Sequence, residues 1–226
     1  MHDHDSAPIQ LYGRSSSHFT RLALLFAREL GVACELVPIH DMTQVDPAIY
    51  AGNPALKMPT LRRGGSLVFG AENICRTLAD LAAAPPRIVW PEALRSDLAR
   101  NAQELVWHGM AAEVQLIFGT MVAQLPADNV YFAKARQGFA GALRWLDDHL
   151  ERALAELPAP RDLSLFEASL LCLVEHVAFR GTLSLDPYPA LARFAATYGA
   201  RPAAQHRHKH DEKKSLKDAN AQLNTI

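Results

Sequence analysis

The sequence predicts two unlike domains, an α/β domain followed by an all-helical domain. Apolar runs typical of short strands are confined to the N-terminal part, prolines at positions 85, 86 and 91 interrupt the chain, and the segments beyond them have helical periodicity. The predicted domains cover residues 8–83 and 92–204, with a linker at 84–91 and a polar tail at 205–226 that we expect to be disordered.

The first domain is predicted to begin with a strand, a helix and a second strand. Residues 9–12 are apolar, and from Phe19 onward the apolar residues follow the i, i+3, i+4, i+7 spacing of an amphipathic helix. Gly31 ends that helix, and residues 32–39 are typical of a strand. Two strands joined by one short helix form a βαβ unit, so these strands should be parallel.

A hairpin and a second helix complete the first domain. The apolar segments 59–61 and 66–69 flank a turn at 62–65, which is the pattern of two antiparallel strands. A helix is predicted over about residues 72–83.

The second domain is predicted to be helical throughout. Its best specified helix begins at Ser164, because Glu167 three residues later completes a capping box. Residues 170–174 are apolar on every face, so this helix should lie at the centre of the domain. The predicted helices cover residues 93–124, 131–157, 164–180 and 189–198.

Composition excludes several classes of function. The 23 basic and 24 acidic side chains give a net charge of −1, which offers no electrostatic basis for binding nucleic acid. No run of about 18 consecutive apolar residues is present, so we expect no membrane span. The polar N-terminus does not resemble a signal peptide, which favours a cytoplasmic protein.

The cysteines and the tail histidines favour no metal or redox site. Cys34, Cys75 and Cys172 are far apart, without a Cys-x-x-Cys motif, and are predicted to be small apolar core residues in a reducing compartment. Alternating histidines in the tail could bind a metal, but a polar segment without a metal is the favoured interpretation; they are His206, His208 and His210.

Three motifs, in this order and with a helical domain behind them, resemble the cytosolic glutathione S-transferases of the serine, bacterial-like type. Residues 11–21 (LYGRSSSHFTR) are similar to the family's Leu-Tyr-Gly strand, followed by a Ser or Cys that opens the first helix. Residues 53–61 (NPALKMPTL) resemble Asn-Pro-x-x-Lys-Val-Pro-x-Leu, and residues 67–74 (LVFGAENI) resemble an apolar strand before Glu-Ser-x-x-Ile. The resemblance covers residues 9–204 and implies a thioredoxin-like first domain.

The resemblance implies that Ser17 activates the thiol of glutathione. Its hydroxyl would donate a hydrogen bond to the sulfur at the N-terminus of a helix, and both effects favour the thiolate. Ser15 and Ser16 are close enough to take this role, and Tyr12 is a further candidate, although a buried aromatic residue is favoured there. The alternative for Ser17 is that it only caps its helix.

The second motif implies a site for the cysteinyl and glycyl parts of glutathione. The resemblance implies that the peptide bond before Pro59 is cis, which would turn the backbone of Met58 outward to pair with glutathione as an added strand. Lys57 or His40 would then reach the glycyl carboxylate. For Lys57, a solvent-exposed lysine without a ligand is an equally good interpretation.

The third motif implies a site for the γ-glutamyl part of glutathione. Glu72 would pair with the ammonium group. Asn73, together with backbone N–H groups at the helix start, would bind the carboxylate. The alternative for Glu72 is an acidic residue placed to suit the helix dipole.

The second substrate is expected to lie against the helical domain. Trp107, His108, Met110 and Phe118 lie on one predicted helix, where such a row is more often core than pocket. His108 is accordingly predicted to be packed, and these residues do not identify an electrophile.

The function implied is a glutathione transferase that presents the thiolate to a hydrophobic electrophile, as in detoxification, and that works as a cytoplasmic homodimer. His18 and Asn73, where the family usually has Pro and Ser, leave open a non-catalytic binding protein with the same fold. A glutathione-dependent peroxidase or isomerase is a further alternative. Ser17 in place of cysteine argues against reduction of mixed disulfides.

Overall fold

The computed structural model describes residues 8–205, and within them it has the predicted fold class, a thioredoxin-like sheet domain followed by a helical domain. The strands are β1 (Gln10–Gly13), β2 (Glu35–Pro38), β3 (Thr60–Arg63), β4 (Ser66–Phe69), β5 (Ile88–Val89) and β6 (Leu163–Ser164), and the helices are α1 (His18–Glu29), α2 (Ala71–Asp80), α3 (Asp97–Leu116), α4 (Val130–Ala155), α5 (Leu165–Arg180) and α6 (Pro189–Tyr198). The histidines of the tail lie outside the described residues.

The sheet of the first domain has the strand order β2-β1-β3-β4. β1 is parallel to β2 and antiparallel to β3, and Leu11 stands opposite Leu36 on one side and Leu61 on the other. β3 and β4 form an antiparallel hairpin. These pairings confirm the predicted βαβ unit and hairpin, and α1 and α2 pack together against the sheet.

Close contact between β1 and α1 positions the segment that follows β1. A Cβ atom added at Gly13 would stand under 3.0 Å from the side chain of Thr20, which is fully buried on α1. Glycine is therefore needed at this position for the strand and the helix to approach each other. As a result, residues 14–17 form a tight turn beside the helical domain.

The prediction that no strand follows the linker was wrong at one place. β5, in the predicted linker, pairs in parallel with β6, and Ile88 stands opposite Leu163. The Asp162 carboxylate holds the same junction, since it accepts hydrogen bonds from the backbone and the guanidinium of Arg87. Two-residue strands are too short to show a period of two, which explains why the sequence pattern did not reveal them.

The first helix of the second domain ends differently from the prediction. α3 continues into a π-helical segment, Ile117–Val122, in place of a regular helix to residue 124. Gly119 lies in this segment, and a Cβ atom there would stand under 3.0 Å from the ring of Phe132 on α4. By length and composition alone, Asp97–Val122 could cross a membrane, which is weak evidence because core helices pass the same test. In this fold it packs against α4 and α5.

α5 forms the centre of the second domain, as its apolar sequence predicts, and it also makes the contact with α1 of the first domain. The Ser164 hydroxyl caps it by accepting the N–H of Glu167, while the Glu167 carboxylate binds Arg161. α5 packs on α1, α3 and α6, and an ion pair joins Arg21 on α1 to Glu175 on α5.

The cysteines behave as the predicted apolar core residues. Cys75 and Cys172 are fully buried in the core that the two domains share, and Cys34 is half-buried beside it. Burial raises the pKa of the Cys34 thiol to about 11 and that of Cys172 to about 12. These thiols are therefore protonated at neutral pH and unreactive as nucleophiles.

Candidate functional site

A cleft of about 730 Å³ lies between the two domains. One side is formed by the turn before α1, the loop before β3 and the start of α2. The other side is formed by α3, the π-helical segment, the start of α4 and the end of α5. The lining includes Arg14, Ser16, Ser17, Lys57, Met58, Pro59, Gly70 and Ala71 from the first domain, and Val114, Phe118, Leu125, Tyr131, His176 and Arg180 from the second.

Ser17 both caps α1 and lines the cleft. Its Oγ accepts the N–H of Thr20 at 3.4 Å, and its own N–H donates to the Arg14 carbonyl at 3.0 Å. A hydroxyl that accepts one hydrogen bond still has its hydrogen to donate. Capping therefore leaves the Ser17 hydroxyl available to a ligand atom at the N-terminus of the helix.

The other candidates for the activating hydroxyl differ in position. Ser16 also lines the cleft, and its Oγ accepts a hydrogen bond from Arg180 at 3.4 Å. Tyr12 is half-buried, and its hydroxyl accepts a hydrogen bond from Arg62 and donates one to Gln10. Tyr12 and Ser15 are not among the residues that line the cleft.

A buried asparagine shapes the loop before β3. The Nδ2 of Asn53 donates to the Lys57 carbonyl at 2.9 Å, and its Oδ1 accepts the N–H of Ala55 at 3.0 Å. The Met58–Pro59 peptide bond that ends this loop is cis. Asn53 thereby holds the segment that places Lys57 and Met58 on the cleft, a role that the sequence analysis did not assign to it.

The start of α2 presents backbone to the cleft. Gly70 is the N-cap with φ of 84°, no side chain caps the helix, and the backbone bond from Ile74 to Gly70 is the first of the helix. The N–H groups of the first turn are therefore available to an anion. Gly70 and Ala71 line the cleft here.

Glu72 and Asn73 lie next to this lining, not within it. The Glu72 carboxylate accepts hydrogen bonds from Arg76 at 2.8 and 3.1 Å, and Arg76 also binds Glu92. Asn73 is exposed, and its Nδ2 donates to the Phe69 carbonyl at 3.1 Å. His40 is also exposed and contributes its carbonyl to Arg14.

A buried polar cluster lies behind the turn that carries Ser17, and the sequence analysis did not find it. Glu113 on α3 is fully buried, and both of its oxygens lie 2.8 Å from the hydroxyl of Thr182. The Nδ1 of His176 on α5 lies 3.3 Å from Glu113 Oε1. The His176 ring contacts that of His18, whose Nε2 donates to the Met110 carbonyl at 3.1 Å.

Burial shifts the pKa values of the titratable members of this cluster. It raises the pKa of Glu113 to about 7, although the Thr182 hydrogen bond acts in the opposite direction. Burial, with the nearby charge of Arg180, lowers the pKa of His176 to about 3. Burial, followed by the charge of His176, also lowers the pKa of His18 well below its usual 6.5. Both imidazoles are therefore neutral at pH 7, and the Glu113 carboxyl is partly protonated.

The residues of α3 and its π-helical extension that were considered for the second substrate lie partly in the core and partly on the cleft. Met110 is fully buried, and Trp107 is half-buried and stacks on Phe19. Phe118 is 41 % exposed and lines the cleft. The prediction of a packed His108 was wrong, because its side chain is 66 % exposed and pairs with Glu104 at 3.1 Å.

The family of the first domain follows from its sequence. Residues 11–86 match the family model described as the glutathione S-transferase N-terminal domain, and the match includes the turn with Ser17, the Met58–Pro59 loop and the start of α2. The first domain belongs to the glutathione S-transferase family. The comparison with curated protein sequences gives no match.

Solved glutathione S-transferase structures share the fold of both domains. A family member from Pseudomonas fluorescens Pf-5 with bound glutathione has a TM-score of 0.71 at 20 % identity, covering 88 % of this chain and 98 % of that one. A glutathione S-transferase from Methylobacterium radiotolerans, in complex with glutathione sulfonate, has a TM-score of 0.69 at 20 % identity and covers 89 % and 94 %. At this identity the likeness is one of fold.

Proposed function

We propose that this protein is a glutathione transferase in which Ser17 activates the thiol. The observation that carries the proposal is the position of the Ser17 hydroxyl, at the N-terminus of α1 and on the cleft. A free thiol has a pKa of about 8.5 and is mostly protonated at neutral pH. A hydrogen bond donated to the sulfur, together with the partial positive charge of the helix N-terminus, stabilises the thiolate.

Glutathione would lie along the first-domain side of the cleft. The backbone of Met58 would pair with the cysteinyl part as an added strand, and Lys57, exposed on the cleft, would reach the glycyl carboxylate. The γ-glutamyl carboxylate would bind the uncapped N–H groups of α2, assisted by Asn73. Glu72 would share its carboxylate between Arg76 and the ammonium group. Solved structures with this fold contain bound glutathione, which supports glutathione as the ligand.

The second substrate would be a hydrophobic electrophile on the helical side. The wall opposite Ser17 carries Phe118, Leu125 and Tyr131, which are 41, 52 and 62 % exposed. Covering these side chains is favourable by about 25 cal/mol per Å² of apolar surface.

We further propose a cytoplasmic homodimer, on the family resemblance. Sedimentation at micromolar concentration tests the oligomeric state, and a monomer would contradict the proposal.

Steady-state kinetics with an aryl halide test the proposed function. The Ser17→Ala variant should lose about 10- to 100-fold in kcat/KM, the value of a hydrogen bond to a charged group. Ser16→Ala is the matched control, because Ser16 lines the same cleft one residue earlier, and it should retain most of the activity. Equal losses in the two variants would remove the specific role of Ser17.

A non-catalytic glutathione-binding protein is the second candidate function. The departures at His18 and Asn73 favour it: His18 is buried and hydrogen-bonded to the Met110 carbonyl, and Asn73 lies outside the cleft lining and donates to the Phe69 carbonyl. Glutathione affinity without turnover of aryl halides would support this candidate. Turnover of a hydroperoxide without turnover of aryl halides would indicate a peroxidase.

A further inference from the structure

Arg180 lies in the cleft, and within residues 8–205 it has no carboxylate partner. It is half-buried at the end of α5, and its one hydrogen bond among the described residues runs from Nη2 to Ser16 Oγ at a long 3.4 Å. Its Nε is buried and has no hydrogen-bond partner within residues 8–205. A guanidinium has five N–H donors, so most of its hydrogen-bonding capacity is unused.

Several other half-buried arginines of this protein are ion-paired. Arg161 binds Glu167 through two nitrogens at 2.8 and 3.1 Å, and Arg201 binds Glu29 at 2.6 Å. Withdrawing a guanidinium from water is costly unless an anion compensates for it. In the part of the chain that the structure describes, no carboxylate comes within 4.0 Å of Arg180. The Phe179 ring, whose centroid lies 5.0 Å from the guanidinium carbon of Arg180, offsets part of this cost, and an anionic ligand could offset the rest.

The surroundings of Arg180 keep this end of the cleft positive. Arg14 also lines the cleft and donates to the His40 carbonyl. Burial lowers the pKa of Arg180, and the nearby charge of Arg14 lowers it further. Glu113 is the nearby acidic group, but it is engaged by Thr182 and His176, and burial leaves it partly protonated at pH 7. Glu113 thus offers Arg180 only a weakened negative charge, whereas Arg14 has Asp41 near enough for the two charges to interact.

The position of Arg180 indicates which ligand it serves. It comes from the helical domain and reaches Ser16, the neighbour of Ser17, where the sulfur would lie. The apolar wall of Phe118, Leu125 and Tyr131 belongs to the same side of the cleft. A molecule that satisfied both features would be apolar and would carry an anionic group.

We propose that Arg180 binds a carboxylate on the second substrate, so that the preferred electrophiles are apolar acids. This proposal rests on the proposed transferase function. A carboxylate suits a guanidinium because two parallel N–H···O hydrogen bonds can form between them. The glycyl carboxylate of glutathione has the same chemistry, and the experiment distinguishes the two sources.

The kinetic test compares two aryl chlorides, 4-chloro-3,5-dinitrobenzoate and 2-chloro-1,3-dinitrobenzene, which is the same molecule with hydrogen in place of the carboxylate. In both reactions the glutathione sulfur bonds to the ring carbon, the C–Cl bond breaks with its electron pair on chloride, and the thiol proton goes to solvent. Arg180→Met should lower kcat/KM for the benzoate by about 10- to 100-fold. The value for the neutral chloride and the KM for glutathione should change by less than about threefold, within the usual scatter of such contributions.

Two further variants control for charge and for geometry. Arg95→Met removes a charge from an exposed position outside the cleft lining and should leave the ratio of the two substrates unchanged. Arg180→Lys keeps the charge but cannot form the bidentate pair of hydrogen bonds. Its ratio of kcat/KM values for the two substrates should therefore lie between those of the wild type and Arg180→Met. An unchanged ratio in Arg180→Met would overturn the proposal. A higher KM for glutathione with both electrophiles would also overturn it and would assign Arg180 to the glycyl carboxylate.

A binding measurement separates this proposal from the catalytic one. The unreactive pair 3,5-dinitrobenzoate and 1,3-dinitrobenzene is titrated by calorimetry into the protein saturated with glutathione, and into Arg180→Met whose fold is verified by circular dichroism. Preferential binding of the benzoate, lost by about tenfold or more in the variant, would support the site even if turnover were absent. Equal binding of the two compounds to the wild type would overturn it.

Discussion

Replacing Glu113 by glutamine should steepen the loss of stability on acidification. In the folded protein the pair of Glu113 and His176 holds one proton between pH 4.5 and 6.5, because burial raises the pKa of the carboxyl and lowers that of the imidazole. In the unfolded chain the pair also holds one proton in this range, on the histidine. The pair therefore contributes almost no pH dependence, and the variant removes this balance.

Glu113 and the two histidines change the stability with pH in opposite directions. The raised pKa of Glu113 gives stability that is present below pH 4.5 and is lost as the pH rises through about 7. The lowered pKa values of His18 and His176 mean that stability falls as the pH drops below 6.5, since the unfolded chain then binds more protons. We call a proton uncompensated when the unfolded chain binds it and the folded protein does not. Each such proton lowers the free energy of unfolding by about 1.4 kcal/mol for every pH unit of acidification.

The magnitude follows from counting these protons. In the wild type, His18 alone binds a proton more readily in the unfolded chain than in the folded protein, so the cluster should lose stability as the pH falls below 6.5. In Glu113→Gln both histidines are uncompensated, and the loss should be about 2 kcal/mol larger. In His18→Asn the contribution of the cluster should be nearly flat.

Reversible urea unfolding at pH 4.5, 5.5 and 6.5 measures these differences, and the background from other carboxylates is common to all variants. Glu151→Gln is the matched control, because its side chain is 88 % exposed, and its free energy of unfolding should run parallel to that of the wild type. If the curve for Glu113→Gln is also parallel to that of the wild type, Glu113 does not hold the proton, and the account of the cluster is refuted.

Three further predictions concern the turn, the loop and the apolar wall. Gly13→Ala should destabilise the fold by about 1–3 kcal/mol, because its Cβ atom would overlap Thr20, and chemical denaturation measures the loss. Lys57→Met should raise the KM for glutathione while kcat stays nearly constant in steady-state assays, the signature of binding lost equally from ground and transition states. Phe118→Ala should raise the KM for apolar electrophiles and leave that for glutathione unchanged, because its exposed ring lines the helical wall. An equal rise in both KM values would mean that Phe118 does not contact the electrophile specifically.

The fold class could be predicted from sequence because each element has a local signal. The period of α1, the strands on either side of it and the capping box of α5 each depend on residues that are close together in the chain. The motif around Ser17 is likewise continuous in the sequence, so the same short segment indicates both the helix cap and the candidate activating hydroxyl.

The polar cluster and the unpaired arginine could not be predicted in this way. Glu113 meets His176 and Thr182 only because α3 packs beside α5, and the partners are 63 and 69 positions apart. Arg180 ends an apolar helix, where a basic residue is expected from the helix dipole alone. That no carboxylate among the described residues pairs with it emerges only from the packed structure. The β5–β6 pair escaped notice for the related reason that each strand has only two residues.

An ultraviolet titration of bound glutathione tests the central claim, that Ser17 stabilises the thiolate, most directly. In the wild type, thiolate absorbance should develop at least about one pH unit below the free-thiol value of about 8.5, and in Ser17→Ala it should return towards that value. If the variant binds glutathione and titrates at the same pH as the wild type, the Ser17 hydroxyl does not activate the thiol, and its role is confined to capping α1.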